Sequence, residues 1–398
     1  MPSNPAQSVP PTADAVIIGG GVMGCAIQYN LARLGVANTV LLERDVLGSG
    51  STGRSQAICR MHYSNAVTTE LAWQSLQVFA DFDARVGGTS GFVNTGYLVV
   101  VNEADEAGLE RNVAMQQELG VPTSVVSRDD LAQVAPMVTL YEDERAAWEP
   151  NSGYADPHQV TVSYAARARE AGARILMRTP AAGIETQGDR VRAVVTADGD
   201  RIATDTVIVA AGPWSKQVLA GVGVDVPLIP VRHQVATVAR PVELVPHHPT
   251  VGDISQSFSF RPDGSNFTTM GFGDDNEQSD PDVYPQGLEL SEAAIARGKL
   301  ARRIPGMADA YYRGGWSGLF TTTPDWHPVL DAVPGVSGLY CGIGFSGHGF
   351  KLSPAIGKAV AELVVEGRAR DVDLTPLRFT RFAQGDLMES SYRYRVLA

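Results

Sequence analysis

The chain has 398 residues, 44% of them hydrophobic, and its 32 basic and 44 acidic side chains give a net charge of −12. That length suits a compact two-domain protein with a core large enough to enclose a cofactor. The acidic balance, with no run of Lys or Arg able to track a phosphate backbone, argues against nucleic acid as a partner, and no apolar run reaches the roughly 18–20 residues of a membrane helix.

Residues 1–13, MPSNPAQSVPPTA, are rich in Pro and Ser and lack the charged and apolar regions of an export signal. A short disordered tail and a cytoplasmic location are expected. Cys25, Cys59 and Cys341 are an odd number at no metal-ligand spacing. They read as buried small residues, not as a disulfide framework or a zinc site.

Ala15–Ile18 is expected as a buried parallel strand, 22–34 as a helix with apolar positions at Val22, Ala26, Tyr29 and Leu34, and Thr39–Leu42 as a second strand. Inside this βαβ unit Gly19, Gly21 and Gly24 fit G-x-G-x-x-G. The first glycine permits a tight turn, the second lets backbone approach a pyrophosphate, and the third lets helix and strand pack closely. The helix N-terminus then receives the anion. Glu43 closes the second strand, where an acid accepts hydrogen bonds from ribose hydroxyls and disfavours NADP. A dinucleotide is expected, and the motif leaves NAD and FAD open.

The next stretch, RDVLGSGSTGRSQAICRMHYSN, lacks the periodicity of the following crossover helix of an NAD domain. Further on, NTGYLVVV (94–101) reads as a strand, and DPHQVTVSYAARAREAG as a helix with Asp156 as N-cap and Pro157 in its first turn. TDTVIVAAGPWS (204–215) is an apolar strand ending in Ala211, Gly212 and Pro213, flexible backbone at a carboxyl strand end where open α/β sheets bind ligands. VRHQVATV (231–238) and FSFRPDGSNFTTMGFG (258–273) are strand-like, the latter a pair joined at a Pro-Asp-Gly-Ser turn. His233 is expected as a core or surface histidine, with a pocket wall as the alternative, and His247 and His248 as a solvated turn without a third ligand. Tyr97 and Trp316 are open between pocket wall and sheet packing.

Across about residues 14–385 these segments, together with GSGSTGRSQAICRMHYSN, FTTTPDWHPVLD and CGIGFSGHGFKLSPAIGKAVAELV, occur in an order that resembles the flavin-dependent amine and amino-acid oxidoreductases of the D-amino-acid oxidase superfamily. The resemblance is nearest to the branch of monomeric sarcosine oxidase, glycine oxidase and the sarcosine oxidase β-subunit. It implies FAD and an α/β (α+β) fold: an FAD-binding Rossmann-like domain (14–88, 150–228 and 326–385) with an interleaved substrate domain on a mostly antiparallel sheet (89–149 and 229–325). Residues 386–398 are expected as a second tail.

The resemblance also carries site roles. Glu43, Arg44, Ser51, Thr52, Ala211, Gly212 and Trp214 fall among the cofactor-binding positions. So does the loop from Gly344 through Phe345, Ser346, Gly347, His348 and Gly349 to Lys351, which in relatives passes the pyrimidine edge of the flavin. A helix is expected to begin near Ser353 and Pro354, its positive end facing charge on the reduced ring. Arg60 and Lys351 match the cations that hold a substrate carboxylate, the first with paired hydrogen bonds and the second as a point charge. His348 joins them as a catalytic candidate.

The sequence departs from relatives in three places. Gly318 stands where a cysteine bonds the flavin in monomeric sarcosine oxidase, and Phe320 where a tyrosine lies near the substrate. Thr269 stands where a lysine activates oxygen. His62 is expected close to the flavin, but its neighbours do not match those of linked histidines, so FAD is expected to be non-covalent. The implied function is oxidation of the C–N bond of a small carboxylated amine to an imine that hydrolyses, with electrons passing to oxygen or another acceptor. The alternatives are an FAD-binding subunit of an amino-acid dehydrogenase complex, with a partner subunit or homo-oligomer, and a flavin monooxygenase. The missing Gly-Asp motif in CGIGFSGHGFK counts against the last.

Overall fold

The computed structural model describes residues 8–392. Its first sheet has six strands in the order Val329–Ala332, Leu339–Ile343, Val207–Val209, Ala15–Ile18, Thr39–Leu42 and Arg174–Leu176. All neighbours are parallel except the first pair. Its strands are buried on both faces, as a parallel sheet between two layers must be. Ala15 and Ile17 face the helices Val22–Arg33, Pro157–Glu170 and Gly349–Glu366. Val16 and Ile18 face the other way, onto Val191, Val194 and Ile202 of a three-stranded antiparallel sheet, which follows from the two-residue period of a strand.

The second large sheet has eight strands, from Tyr311–Thr322 at one edge through Ile229–Ala239, Phe267–Gln278, Phe258–Asp263, Thr250–Asp253, Tyr97–Asn102 and Glu144–Glu149 to Ser124–Val126. Only Thr250–Asp253 and Tyr97–Asn102 run parallel. The helix Leu290–Arg303 packs on it, and Arg303, fully buried, bonds Glu144 and Asp253 at 2.6–2.9 Å. Pairing of this kind offsets the cost of burying an arginine.

Several elements match their sequence signals. Asp156 caps Pro157–Glu170 by accepting from the His158 and Gln159 N–H groups. Others differ. The strand expected over 94–101 is split into Val93–Asn94 and Tyr97–Asn102 at Gly96, whose φ of +67° turns the chain and whose missing side chain makes room for the Trp148 ring. The last long helix starts at Gly349, not near Ser353, so Pro354 lies inside it. The N–H that proline lacks would have reached the Phe350 carbonyl, and the next N–H, of Ala355, donates to Ser75 Oγ at 3.1 Å.

The two expected tails are corrected where they are described, 1–7 and 393–398 lying outside the described residues. The Pro11 carbonyl and the Ala13 N–H both bond Ala203, and Tyr392 is buried. The three cysteines are buried thiols without a disulfide, each pushed up to about 12 by burial. No helix of the described residues is long and apolar enough to cross a membrane.

Candidate active site

A cavity of about 530 Å³ opens between the carboxyl ends of the parallel strands and the large sheet. At one end Gly19, with φ +117°, lies against the Ala210 carbonyl, where a Cβ would come to 2.4 Å. A Cβ on Gly24 would meet the Gly19 carbonyl at 2.0 Å, so only glycine fits either place. Gly21 caps the helix Val22–Arg33 with no side-chain hydrogen bond and no acid in the first turn, leaving a positive helix end on the cavity wall. Gly24 packs behind that wall, away from the cavity.

Glu43 is buried on the wall; its Oε2 accepts from the Gly20 N–H at 2.7 Å and its Oε1 from the Asp45 N–H at 2.8 Å. Oε1 also accepts from Ser49 Oγ at 3.5 Å, while Oε2 keeps a second lone pair for a ligand hydroxyl. Thr52 Oγ1 accepts from the Val22 N–H, and Ser51 Oγ donates to the Leu319 carbonyl. Arg44 lies 3.9 Å above the Trp214 ring, and Asp282 accepts from both side chains at 2.8–2.9 Å. Ala211 and Gly212 complete this end.

At the other end the loop before the helix Gly349–Glu366 brings Phe345, Ser346, Gly347, Gly349 and Lys351 to the wall. The Ser346 N–H donates to the Thr321 carbonyl at 2.9 Å, and a Cβ on Gly347 would strike the Phe320 ring at 2.7 Å. The helix again has no side-chain cap and no acid in its first turn. Two expected positions lie off the wall: Gly344, at φ +71°, packs toward Thr323 and Leu228, and His348 is buried edge-on against Tyr63 at 5.3 Å. His348 is thus placed beside Tyr63, behind the cavity wall.

Arg60, 2% exposed, and Lys351, 9% exposed, share the wall. Arg60 Nη1 donates to the His62 carbonyl, its guanidinium lies 4.3 Å from the Tyr63 ring centre, and its buried Nη2 has no partner among the described residues. Neither cation forms an ion pair among those residues. Burial and the Arg60 charge hold the Lys351 ammonium well below the ordinary lysine range.

His233 lines the cavity, stacked on Phe320 with ring centres 4.0 Å apart, which corrects the core or surface expectation. Burial lowers it to about 3 and keeps it neutral. Tyr97 is also on the wall, whereas Trp316 is not and donates its indole N–H to the Arg54 carbonyl. Thr269 lies behind the wall and accepts from Gln56, which lines it. His62 is likewise off the wall, turned toward Tyr392. His248 is buried and bonds Thr268 Oγ1 at 2.8 Å, so the solvated-turn reading fits only the exposed His247. Gly318 faces Arg54. Sequence reasoning missed Arg54, Gln56 and Gln234 on this wall. The polar residues inside SGSTGRSQ, a segment rich in small residues next to the nucleotide motif, were the available signal for the first two.

Comparison with known proteins identifies the family. Mouse sarcosine dehydrogenase is 28% identical over 92% of this chain and 41% of its own length. The 4-methylaminobutanoate oxidase (formaldehyde-forming) of Paenarthrobacter nicotinovorans is 28% identical over 90% of this chain and 44% of its own. The chain thus spans less than half the length of these relatives. The crystal structure of L-proline dehydrogenase from P. horikoshii superposes with a TM-score of 0.87 at 26% identity, covering 96% of this chain and 100% of that one. Residues 14–363 match the DAO family, and the chain belongs to these FAD-dependent oxidoreductases.

Proposed function

We propose that this protein oxidises the C–N bond of a small carboxylated amine, an amino acid or an N-substituted one, to an imine that water hydrolyses. The carrying observation is the pair Arg60 and Lys351, two buried cations on one wall with no ion pair among the described residues. A buried charge without a direct ion pair is costly, and a substrate carboxylate between the two cations relieves it; the buried Glu149 carboxylate feels the Arg60 charge but is bonded to the Met61 N–H and to Ser152 Oγ. The relatives named for sarcosine, 4-methylaminobutanoate and L-proline support this reading, since each compound is a secondary amine with a carboxylate.

The residues present suit FAD. Gly19 and Gly21 leave room for the pyrophosphate at a free helix end, Glu43 offers a lone pair to the ribose, and the first turn of Gly349–Glu366 meets the ring end of the cavity. Arg44, Ser51, Thr52, Ala211, Gly212 and Trp214 border the rest. We assign nucleotide binding to 14–88, 150–228 and 326–385 and the substrate pocket to 89–149 and 229–325. Bound FAD supplies the two-electron acceptor, held without a covalent link. The chain's own part is orientation: Arg60 and Lys351 fix the carboxylate, and Phe320, Tyr97 and neutral His233 keep water from the reacting carbon. No side chain on this wall is needed as a dedicated base, because the neutral amine is the reacting form.

The test is anaerobic mixing of the purified flavoprotein with N-methyl, cyclic and D- or L-amino acids while the visible flavin band is followed. Bleaching by at least one is expected, and Arg60→Ala is expected to lower kcat/KM for it by about 10- to 100-fold, the loss of charge-assisted hydrogen bonds. A band that no carboxylated amine bleaches overturns the proposal.

A further inference from the structure

Arg60 owes its orientation to groups outside the cavity. Its Nη1 donates to the His62 carbonyl and its guanidinium lies over the Tyr63 ring, so the placement of residues 62 and 63 decides where it points. Both are held from behind. Gln116, fully buried on the helix Glu106–Glu118, has its Nε2 3.1 Å from the Tyr63 carbonyl and 3.3 Å from His62 Nδ1. His62 Nε2 lies 2.6 Å from Tyr392 Oη, with the two rings stacked 5.7 Å apart. Tyr392 is itself 4% exposed, and Ser391 beside it donates to Asn112 Oδ1 at 3.0 Å on the same helix.

The donors and acceptors assign the tautomer. The Gln116 amide N–H donates to the Tyr63 carbonyl and to His62 Nδ1, so Nδ1 is the acceptor and the ring proton sits on Nε2, aimed at Tyr392 Oη. The His62 ring is thus bonded at both nitrogens. We infer that Tyr392 and Gln116, acting through His62 and Tyr63, are positioning residues that hold the Arg60 guanidinium toward the substrate carboxylate. The segment Ser390–Tyr392 then belongs functionally to the active site, although no atom of it lines the cavity. This rests on the reading of Arg60 as the carboxylate ligand.

The test uses the FAD-loaded protein and two probes of one shape, acetate and its uncharged counterpart acetamide, with binding read from perturbation of the flavin spectrum. Tyr392→Phe keeps the ring and removes the acceptor of the His62 N–H. It is expected to weaken acetate roughly 3- to 10-fold, the loss of buried hydrogen bonding behind Arg60, with acetamide binding and FAD content unchanged. Gln116→Leu is expected to act in the same direction and serves if Tyr392→Phe does not fold. Arg60→Ala separates the two layers. If it abolishes the preference for acetate while both outer variants bind acetate as the wild type does, the positioning role is overturned and the site reading stands. If Arg60→Ala binds acetate normally, the site reading falls and this inference with it. Equal weakening of acetate and acetamide overturns the positioning role in favour of a purely structural one.

Discussion

Lys351 stays in a place that its own solvation opposes. Burial and the charge of another cation, Arg60, disfavour its ionised form in the folded chain. Below its lowered folded value the lysine is charged in both states, and the whole cost of burying it weighs on folding. The cost fades as pH climbs toward the ordinary value of 10.5. Lys351→Met is therefore expected to stabilise the substrate-free protein at neutral pH, by about 1 kcal/mol or more, and to flatten the rise of stability on the alkaline side. Acetate is expected to raise the melting temperature of the wild type more than that of the variant; thermal unfolding across pH checks both. At this scale the sequence was legible where one residue type answers one need: Gly19, Gly24 and Glu43 stand where their chemistry requires. It was least legible for histidines. His233 and His248 lie in strand-rich stretches whose alternation says that a face is buried but not which surface it meets, and His348 sits in a wall-forming loop while its own ring turns to Tyr63.

Two helices present N-termini without acids in their first turns to the cavity, and they are packed on each other at a point that tolerates no extra atom. A Cβ on Gly357 would stand 2.6 Å from the Ala26 Cβ and 2.9 Å from its carbonyl carbon. Gly357→Ala is expected to cost roughly 1–3 kcal/mol through this overpacking. Because both helix ends shift with it, FAD should leave faster; thermal melting and flavin release followed by fluorescence measure the two effects. The start of Gly349–Glu366 was misread because proline is a strong helix-start signal. Ser75, from the helix Ala66–Ala80, accepts from the Ala355 N–H just past the proline, and sequence spacing carries no trace of so distant a partner.

For the molecule as a whole, three buried histidines, His62, His233 and His248, are each lowered to about 3 by burial. Their folded values lie below the ordinary 6.5, so the unfolded chain takes up protons that the folded chain refuses. The stability at stake is complete above 6.5 and is lost as pH falls toward 3. Near pH 5 the slope approaches about 4 kcal/mol per pH unit for three protons, and sharp acid unfolding between roughly pH 6 and 4 is expected in circular dichroism. The βαβ unit and the interleaved sheets were foreshadowed by local patterns, whereas the docking of Tyr392 behind Arg60 was not, since it joins segments more than 300 positions apart. The cavity wall itself draws on residues from Ile18 to Lys351. On the ribosome, therefore, an emerging chain has only fragments of a binding surface until Lys351 has been made. Flavin loading becomes a late event of folding, and a product that ends before Lys351 is left with an incomplete cavity.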